Sequence, residues 1–155
     1  MTEFDQIAEI AIRLCIATIL GGLLGLNRDL HGKPAGIRTL GLVALGSALV
    51  TLAVLNFDPS HPVPTDAVSR VVQGVLAGVG FLGAGVIMRD DTGQVHRLNT
   101  AASIWVTAAL GLTCGLGAWI PAAITTALVF ALLTLGMRFD HNFYGRFEKT
   151  QHPKD

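Results

Sequence analysis

Charge is scarce in this chain of 155 residues, since Asp, Glu, Lys and Arg make up only 14%, against about 25% in a typical soluble domain. A soluble enzyme of this size has too large a surface to be covered by so few charged side chains. The eleven basic and eleven acidic residues cancel, so there is no overall basic field to attract nucleic acid. Two cysteines are too few for a disulfide framework. The remaining composition is apolar, with 51% hydrophobic residues and a mean hydropathy of +0.55.

The apolar residues form long uncharged runs that predict membrane-spanning helices, each of which needs about 20 mostly apolar residues. The run 98–137 contains 40 uncharged residues, which suits two spans. Glycines at 115 and 117 end the first of these, and Pro121 suits the first turn of the next. We therefore expect an all-α membrane protein with five spans, at about 7–26, 39–57, 69–88, 100–117 and 120–137.

The distribution of Lys and Arg predicts the orientation of these spans, because cytoplasmic loops are enriched in both. Nine of the eleven basic residues lie in the loops 27–38 and 89–99 or in the segment 138–155. We therefore expect the N-terminus outside and the C-terminus in the cytoplasm. The segment 138–155 carries phenylalanines four residues apart with basic residues between them. This pattern predicts an amphipathic cytoplasmic tail on the inner leaflet, and a simple extension of the fifth helix is the alternative.

The two cytoplasmic loops resemble each other when the sequence is shifted by 61 residues. Within 22–40 this shift gives five identities, among them Arg28 with Arg89 and Asp29 with Asp90. The pattern indicates a parallel helix–loop–helix repeat, of helices one and two with helices three and four, as occurs in transporters. Duplication without transport, or chance similarity, is the alternative.

Glycine is abundant, with 18 residues, and several glycines are spaced four apart within the spans. Small residues allow membrane helices to approach closely. Packing within one chain is one interpretation, and a dimer face or a helix that bends is the other. The candidate packing residues are Gly21, Gly25, Gly74, Gly78, Gly80, Gly83, Gly85, Gly111 and Gly115.

Polar residues in the two cytoplasmic loops form the main candidate site. Pro34 and Gly36 impose a turn, Thr39 is expected to cap helix two, and Asn99 or Thr100 to cap helix four. The positive ends of these helices could hold an anion such as a lipid phosphate or a nucleotide, although orientation and capping alone would explain the same residues. The predicted cytoplasmic polar cluster is Arg28, Asp29, Lys33, Pro34, Gly36, Arg38, Thr39, Arg89, Asp90, Arg97, Asn99 and Thr100.

Acidic residues at the ends of helices one and three suggest a weak Mg²⁺ site, because Mg²⁺ needs only one or two carboxylates when it keeps most of its waters. The candidate ligands are Asp29, Asp90 and Asp91. Salt bridges to neighbouring arginines are the alternative. No other cofactor is predicted.

Two acid–base pairs lie near the outer ends of the spans. Glu9 precedes Arg13 by four residues, and Asp66 precedes Arg70 by the same interval, so each pair shares a helix face. Charged residues inside a membrane are functional candidates, but end positions also suit side chains that reach the interface. No Ser/His/Asp or Cys/His set is present, so catalysis is not expected.

The chain resembles the MgtC/SapB family of bacterial membrane proteins. The motifs that carry this resemblance are K-P-A-G-I-R-T at 33–39, G-V-G-F-L-G-A-G at 78–85 and L-N-T-A-A at 98–102. The match covers about residues 10–135. The chain departs from the family pattern in two ways. Asn27 stands where many members have Glu, and we expect no counterpart of the soluble ACT-like C-terminal domain that many members carry.

The resemblance implies a non-enzymatic, multi-pass protein of the bacterial inner membrane. Family members are linked to growth at low Mg²⁺ and, in pathogens, to virulence inside macrophages, and they are thought to modulate other proteins. We therefore expect a role in magnesium homeostasis through a membrane-protein partner within the lipid bilayer. A homodimer is a further alternative. A small oligomeric Mg²⁺ or ion transporter or channel is the first alternative, and an enzyme acting on lipid head groups is the second.

Overall fold

The protein is almost entirely helical and belongs to the all-α class, as predicted. The computed structural model describes the backbone of residues 3–55, 65–89 and 94–151, with side chains for all of these except Arg89 and 136–151. The five helices are α1 (Glu3–Leu30), α2 (Ile37–Leu55), α3 (Thr65–Val86), α4 (Leu98–Gly115) and α5 (Trp119–Gln151).

Four of these helices, α1 to α4, are long and apolar enough to cross a membrane. In α5 the segment Trp119–Leu135 is apolar but shorter. The backbone of α5 continues without a break through Gln151, so residues 138–151 extend this helix, as in the alternative considered for the tail. The side chains of the phenylalanine stripe lie outside the described residues, and its contact with the inner leaflet stays a prediction.

Helix α2 packs against both α1 and α4, which also contact each other, and α3 packs against α4. The buried core is built from alanines and a few larger aliphatic residues, which suits close approach of the helices. Its members include Ala17, Leu24, Leu40, Ala44, Ala48, Ile104, Ala108 and Leu110.

The break between α4 and α5 lies where the glycines and the proline predict it. Helix α4 ends at Gly115, and Pro121 lies in the first turn of α5. Gly117 adopts a left-handed conformation with φ of 72°. The N–H of Ala118 donates to the carbonyl of Thr113 at 2.9 Å, which is the six-to-one hydrogen bond of a Schellman motif.

The second polar loop contains a short hairpin that the sequence did not indicate. Helix α3 ends at Val86, two residues before the predicted end of the third span, and strands β1 (Met88–Arg89) and β2 (Val95–His96) pair antiparallel. Helices α2 and α4 begin at Ile37 and Leu98, which agrees with the repeat offset (98 − 37 = 61). However, the hairpin has no counterpart in the first loop, and a duplication stays a prediction.

Both polar loops lie at the same end of the bundle, because hydrogen bonds join the last turn of α1 to the first two turns of α4. We call this the loop end. The opposite end, here called the turn end, contains the α4–α5 turn, which a side chain from the first half of α1 contacts.

Candidate functional site

Arg28 is the centre of the loop end. Its side chain is 3% exposed, although it carries a formal charge. The guanidinium donates to the carbonyl of Pro34 at 2.7 Å and to that of Ala35 at 3.1 Å, both in the first loop. It also donates to Oγ1 of Thr100 at 2.8 Å and to Oγ of Ser103 at 2.9 Å, both on α4. One buried arginine therefore holds the first loop and α4 against the end of α1.

Asp29 serves the start of α2. Its Oδ2 accepts a hydrogen bond from the N–H of Ile37 at 2.9 Å, and so satisfies one of the free donors at the helix N-terminus. Its carboxylate occupies the space that a Cβ on Gly36 would need, which explains the glycine at that position. Thr39 is an exposed residue inside the first turn of α2. The prediction that Thr39 caps helix two is therefore wrong.

The start of α4 also differs from the expected capping. The N-cap residue is Arg97, which takes a left-handed conformation with φ of 68°, and its side chain makes no capping hydrogen bond. Asn99 and Thr100 lie inside the first turn of α4, so neither is its N-cap residue as predicted. Thr100 instead accepts a hydrogen bond from Arg28. Its hydroxyl therefore joins two helices.

The structure brings together only part of the predicted polar cluster. Lys33, Pro34, Arg97, Asn99 and Thr100 line one cavity together with Arg28. Arg38 and Thr39 are exposed on α2 and do not line it.

The acidic part of the predicted cluster is described only at Asp29. Arg89 lies on β1 opposite Val95, but its side chain falls outside the described residues, as do Asp90 and Asp91. The Mg²⁺ site therefore stays a prediction, and the one candidate ligand that is described has a structural role at α2.

The cavity contains one polar group that sequence reasoning missed. Asn27 is 7% exposed, lines the cavity, and its Oδ1 has no hydrogen-bond partner. An unpaired buried amide oxygen is unfavourable. No local pattern distinguishes this residue, apart from its departure from the Glu of many family members.

Comparison with known proteins gives the family. The MgtC family model matches residues 14–142. The chain is 46% identical to protein SrpB of Synechococcus elongatus over 134 residues, which are 81% of this chain and 72% of SrpB. It is 39% identical to protein MgtC of Salmonella typhimurium over 118 residues, which are 76% of this chain and 48% of the relative. The chain belongs to the MgtC family.

A further MgtC relative shows similar identity and coverage. The Brucella abortus protein MgtC is 39% identical over 133 residues, 85% of this chain and 53% of the relative. The chain thus spans about half the length of the MgtC proteins it matches. No solved structure matches this chain. Family membership and four helices apolar enough to span the bilayer together define a membrane protein of MgtC type.

In this MgtC-family chain the glycines of α1 and α4 are packing residues that contact α2. A Cβ on Gly21 would lie 2.7 Å from Cβ of Ala44, and one on Gly115 would lie 2.7 Å from Cβ of Thr51. Real Cβ atoms do not approach other atoms this closely, so neither position has room for a side chain. Gly25 and Gly111 are equally closely packed against α2. These four glycines therefore belong to the interior of one chain.

The glycines of α3 have different surroundings. Gly83 faces Ala101 of α4, where a Cβ would lie at an ordinary 3.6 Å from the alanine Cβ. The other four glycines of α3 have open space around them, since no other part of the described chain would lie within 4 Å of an added Cβ. They are Gly74, Gly78, Gly80 and Gly85. The α3 glycines thus remain candidates for a contact outside this chain.

At the turn end of the MgtC-family bundle, Arg13 forms an ion pair with Glu9. Its Nη1 also donates to the carbonyl of Gly115 at 2.8 Å, so Arg13 joins α1 to the carbonyl end of α4. Asp66 and Arg70 form no ion pair with each other in the part of the chain that the structure describes, and Arg70 is exposed on α3.

Proposed function

We propose that this chain is a non-enzymatic protein of the bacterial inner membrane that modulates another membrane complex when Mg²⁺ is scarce. The orientation proposed with it has the loop end in the cytoplasm and the N-terminus outside. The low-Mg²⁺ role follows the resemblance described above. The observation that carries the proposal of a partner is the open face of α3.

This face combines small and polar residues, which is unusual for a helix surrounded by lipid. Arg70, Gln73, Gly74, Ala77 and Gly78 are all exposed, and their spacing places them on one side of the helix. Gln73 lies about 12 Å along α3 from Thr65 at 1.5 Å per residue. An amide at that depth favours a protein neighbour over hydrocarbon, and glycines permit close helix contact.

The transporter alternative has less support from the interior of the bundle. The hydroxyls of Ser47, Thr51, Ser103 and Thr107 each donate to the carbonyl four residues earlier on the same helix. Their donor capacity is therefore used within the helices. Glycines fill the contacts of α2 with α1 and α4, which leaves little room for a hydrated ion between them.

The test of the partner proposal compares two glycines that both have open space around them. Gly78 lies on the α3 face and Gly46 lies on α2. We expect Gly78→Leu to abolish growth at limiting Mg²⁺ in a strain that depends on this protein, because the leucine blocks close helix contact. Gly46→Leu should support normal growth. Equal growth with both variants, at equal membrane levels of protein, would remove the basis of the proposal.

A second measurement separates modulation from transport. The purified protein is placed in sealed liposomes with a trapped Mg²⁺-sensitive dye. We expect Mg²⁺ uptake at the rate of protein-free liposomes. Uptake above that rate, in samples whose helical fold is verified by circular dichroism, would favour the transporter instead.

A further inference from the structure

The cavity at the loop end is large enough for a sizeable ligand. Its volume is about 1150 Å³, above the range of roughly 300–1,000 Å³ that is typical of small-molecule pockets. The end of α1, the first loop, the hairpin and the start of α4 surround its polar part. The middle of α5 supplies its far wall.

The lining has a basic part and an apolar part. Lys33 and Arg97 are exposed at the polar part. The apolar wall includes Val106 from α4 with Val129, Leu132 and Leu133 from α5. The described residues of the lining include no acid. A ligand that suits this surface has a negative group at one end and a hydrocarbon chain at the other.

Asn27 and Arg28 border the cavity without serving the ligand. Oδ1 of Asn27 is fully buried, so a ligand in the cavity does not reach it. The guanidinium of Arg28 donates to four groups of the protein itself. Lys33 and Arg97 are therefore the basic side chains that can hold a negative group.

The start of α4 supports the location of the negative group. Arg97, Leu98 and Asn99, at the N-terminus of this helix, line the cavity. A helix N-terminus carries a partial positive charge that attracts phosphates. At the start of α2 the carboxylate of Asp29 already occupies the corresponding position, so Arg38 and α2 offer no comparable site.

We propose that this cavity binds one anionic phospholipid of the leaflet at the loop end, such as phosphatidylglycerol. The phosphate is held by Lys33, Arg97 and the start of α4. An acyl chain lies along the wall formed by Val129 and Leu133. This inference is independent of the proposed partner on α3.

Native mass spectrometry of the full chain in detergent tests the ligand class with three lipids. Phosphatidylglycerol and phosphatidylmethanol are both anionic, whereas phosphatidylcholine is zwitterionic. We expect one tightly bound molecule of either anionic lipid and about tenfold weaker binding of phosphatidylcholine, since a tenfold change corresponds to the loss of one good polar contact. Equal affinity for all three would overturn the proposal.

Variants then assign the contacts. Arg97→Gln should weaken phosphatidylglycerol binding about fivefold or more, whereas the matched control Arg38→Gln removes an equal charge outside the cavity and should leave binding unchanged. The preference for phosphatidylglycerol over phosphatidylcholine should fall in the Arg97 variant and stay unchanged in the Arg38 variant. Equal loss in both arginine variants would show binding by net charge alone and would contradict the site.

A soluble head group distinguishes a lipid site from a site for free phosphate compounds. Glycerophosphoglycerol has the same charge and hydroxyls as phosphatidylglycerol but lacks acyl chains. We expect it to bind at least about a hundredfold more weakly, because burial of hydrocarbon contributes about 0.8 kcal/mol per CH₂ and the apolar wall would be left empty. Affinity equal to that of the lipid would overturn the assignment to a phospholipid.

Discussion

Arg28 Nη1 lies 2.9 Å from Oγ of Ser103, so the last turn of α1 is hydrogen-bonded to the second turn of α4. Ser103 donates its own proton to the carbonyl of Asn99 and is therefore free to accept from the arginine. The two residues are 75 positions apart in sequence. Arg28 thus positions the walls of the cavity, whereas Lys33 and Arg97 face its opening.

Replacement of Arg28 by lysine should destabilise the protein by about 2 kcal/mol, because one ammonium group cannot reproduce the planar fork that reaches two loop carbonyls and two hydroxyls. Reversible unfolding in detergent micelles, followed by circular dichroism, measures the change. Arg38→Lys is the control, since Arg38 is exposed on α2. An unchanged stability of the Arg28 variant would contradict the buried network.

Asp29 should act as a cap and not through a bound metal. We expect Asp29→Ala to lower the free energy of unfolding by about 1 kcal/mol, as loss of an N-terminal cap does. Asp29→Asn keeps an acceptor for the N–H of Ile37 and should lower the free energy of unfolding by less than Asp29→Ala does. The same unfolding measurements with Mg²⁺ and with a chelator provide the check. If Mg²⁺ stabilises only the parent protein, Asp29 is a metal ligand after all.

The sequence predicted the helices well because the signals that define them are local. Uncharged runs, the Gly117 turn and Pro121 fix the order of the helices and the α4–α5 break. The paired loops at one end also follow from the helix order. The hairpin at Met88 was missed, since two residues per strand are too few for an alternating pattern.

The candidate site was predicted only in part, because its contacts join residues far apart in the chain. The sequence indicated Arg28, Lys33 and Arg97 as a basic group, but nothing local distinguishes the buried arginine from the exposed ones. The roles of Ser103 and Val129 depend on how α4 and α5 pack. Contacts of this kind depend on the tertiary structure and leave no pattern in a single sequence.

At the turn end, Arg13→Met should loosen the end of α4. The variant keeps the apolar stem but removes the donor to the carbonyl of Gly115, and we expect a loss of about 1 kcal/mol together with faster amide hydrogen exchange in the α4–α5 turn. Glu9→Gln is the matched comparison. Glu9 has a side chain that is 44% exposed, so loss of its ion pair should change stability little.

If exchange in the turn is the same in Arg13→Met as in the parent protein, the contact with Gly115 contributes nothing. A rise that Glu9→Gln reproduces would instead assign the effect to the ion pair. Hydrogen exchange followed by mass spectrometry separates these outcomes, because the turn near Gly117 and the first half of α1 yield different peptides.

The glycines of α4 and α3 should respond in opposite ways to the same substitution. A methyl group on Gly111 would clash with Ala44 and Ser47 of α2, so Gly111→Ala should destabilise the bundle by about 1–3 kcal/mol. Gly78→Ala adds a methyl group where the described chain leaves open space. It should leave the isolated protein equally stable, or more stable by up to about 1 kcal/mol through helix propensity. Unfolding of the purified chain measures both, and destabilisation by Gly78→Ala would mean that α3 packs in solution against a second copy.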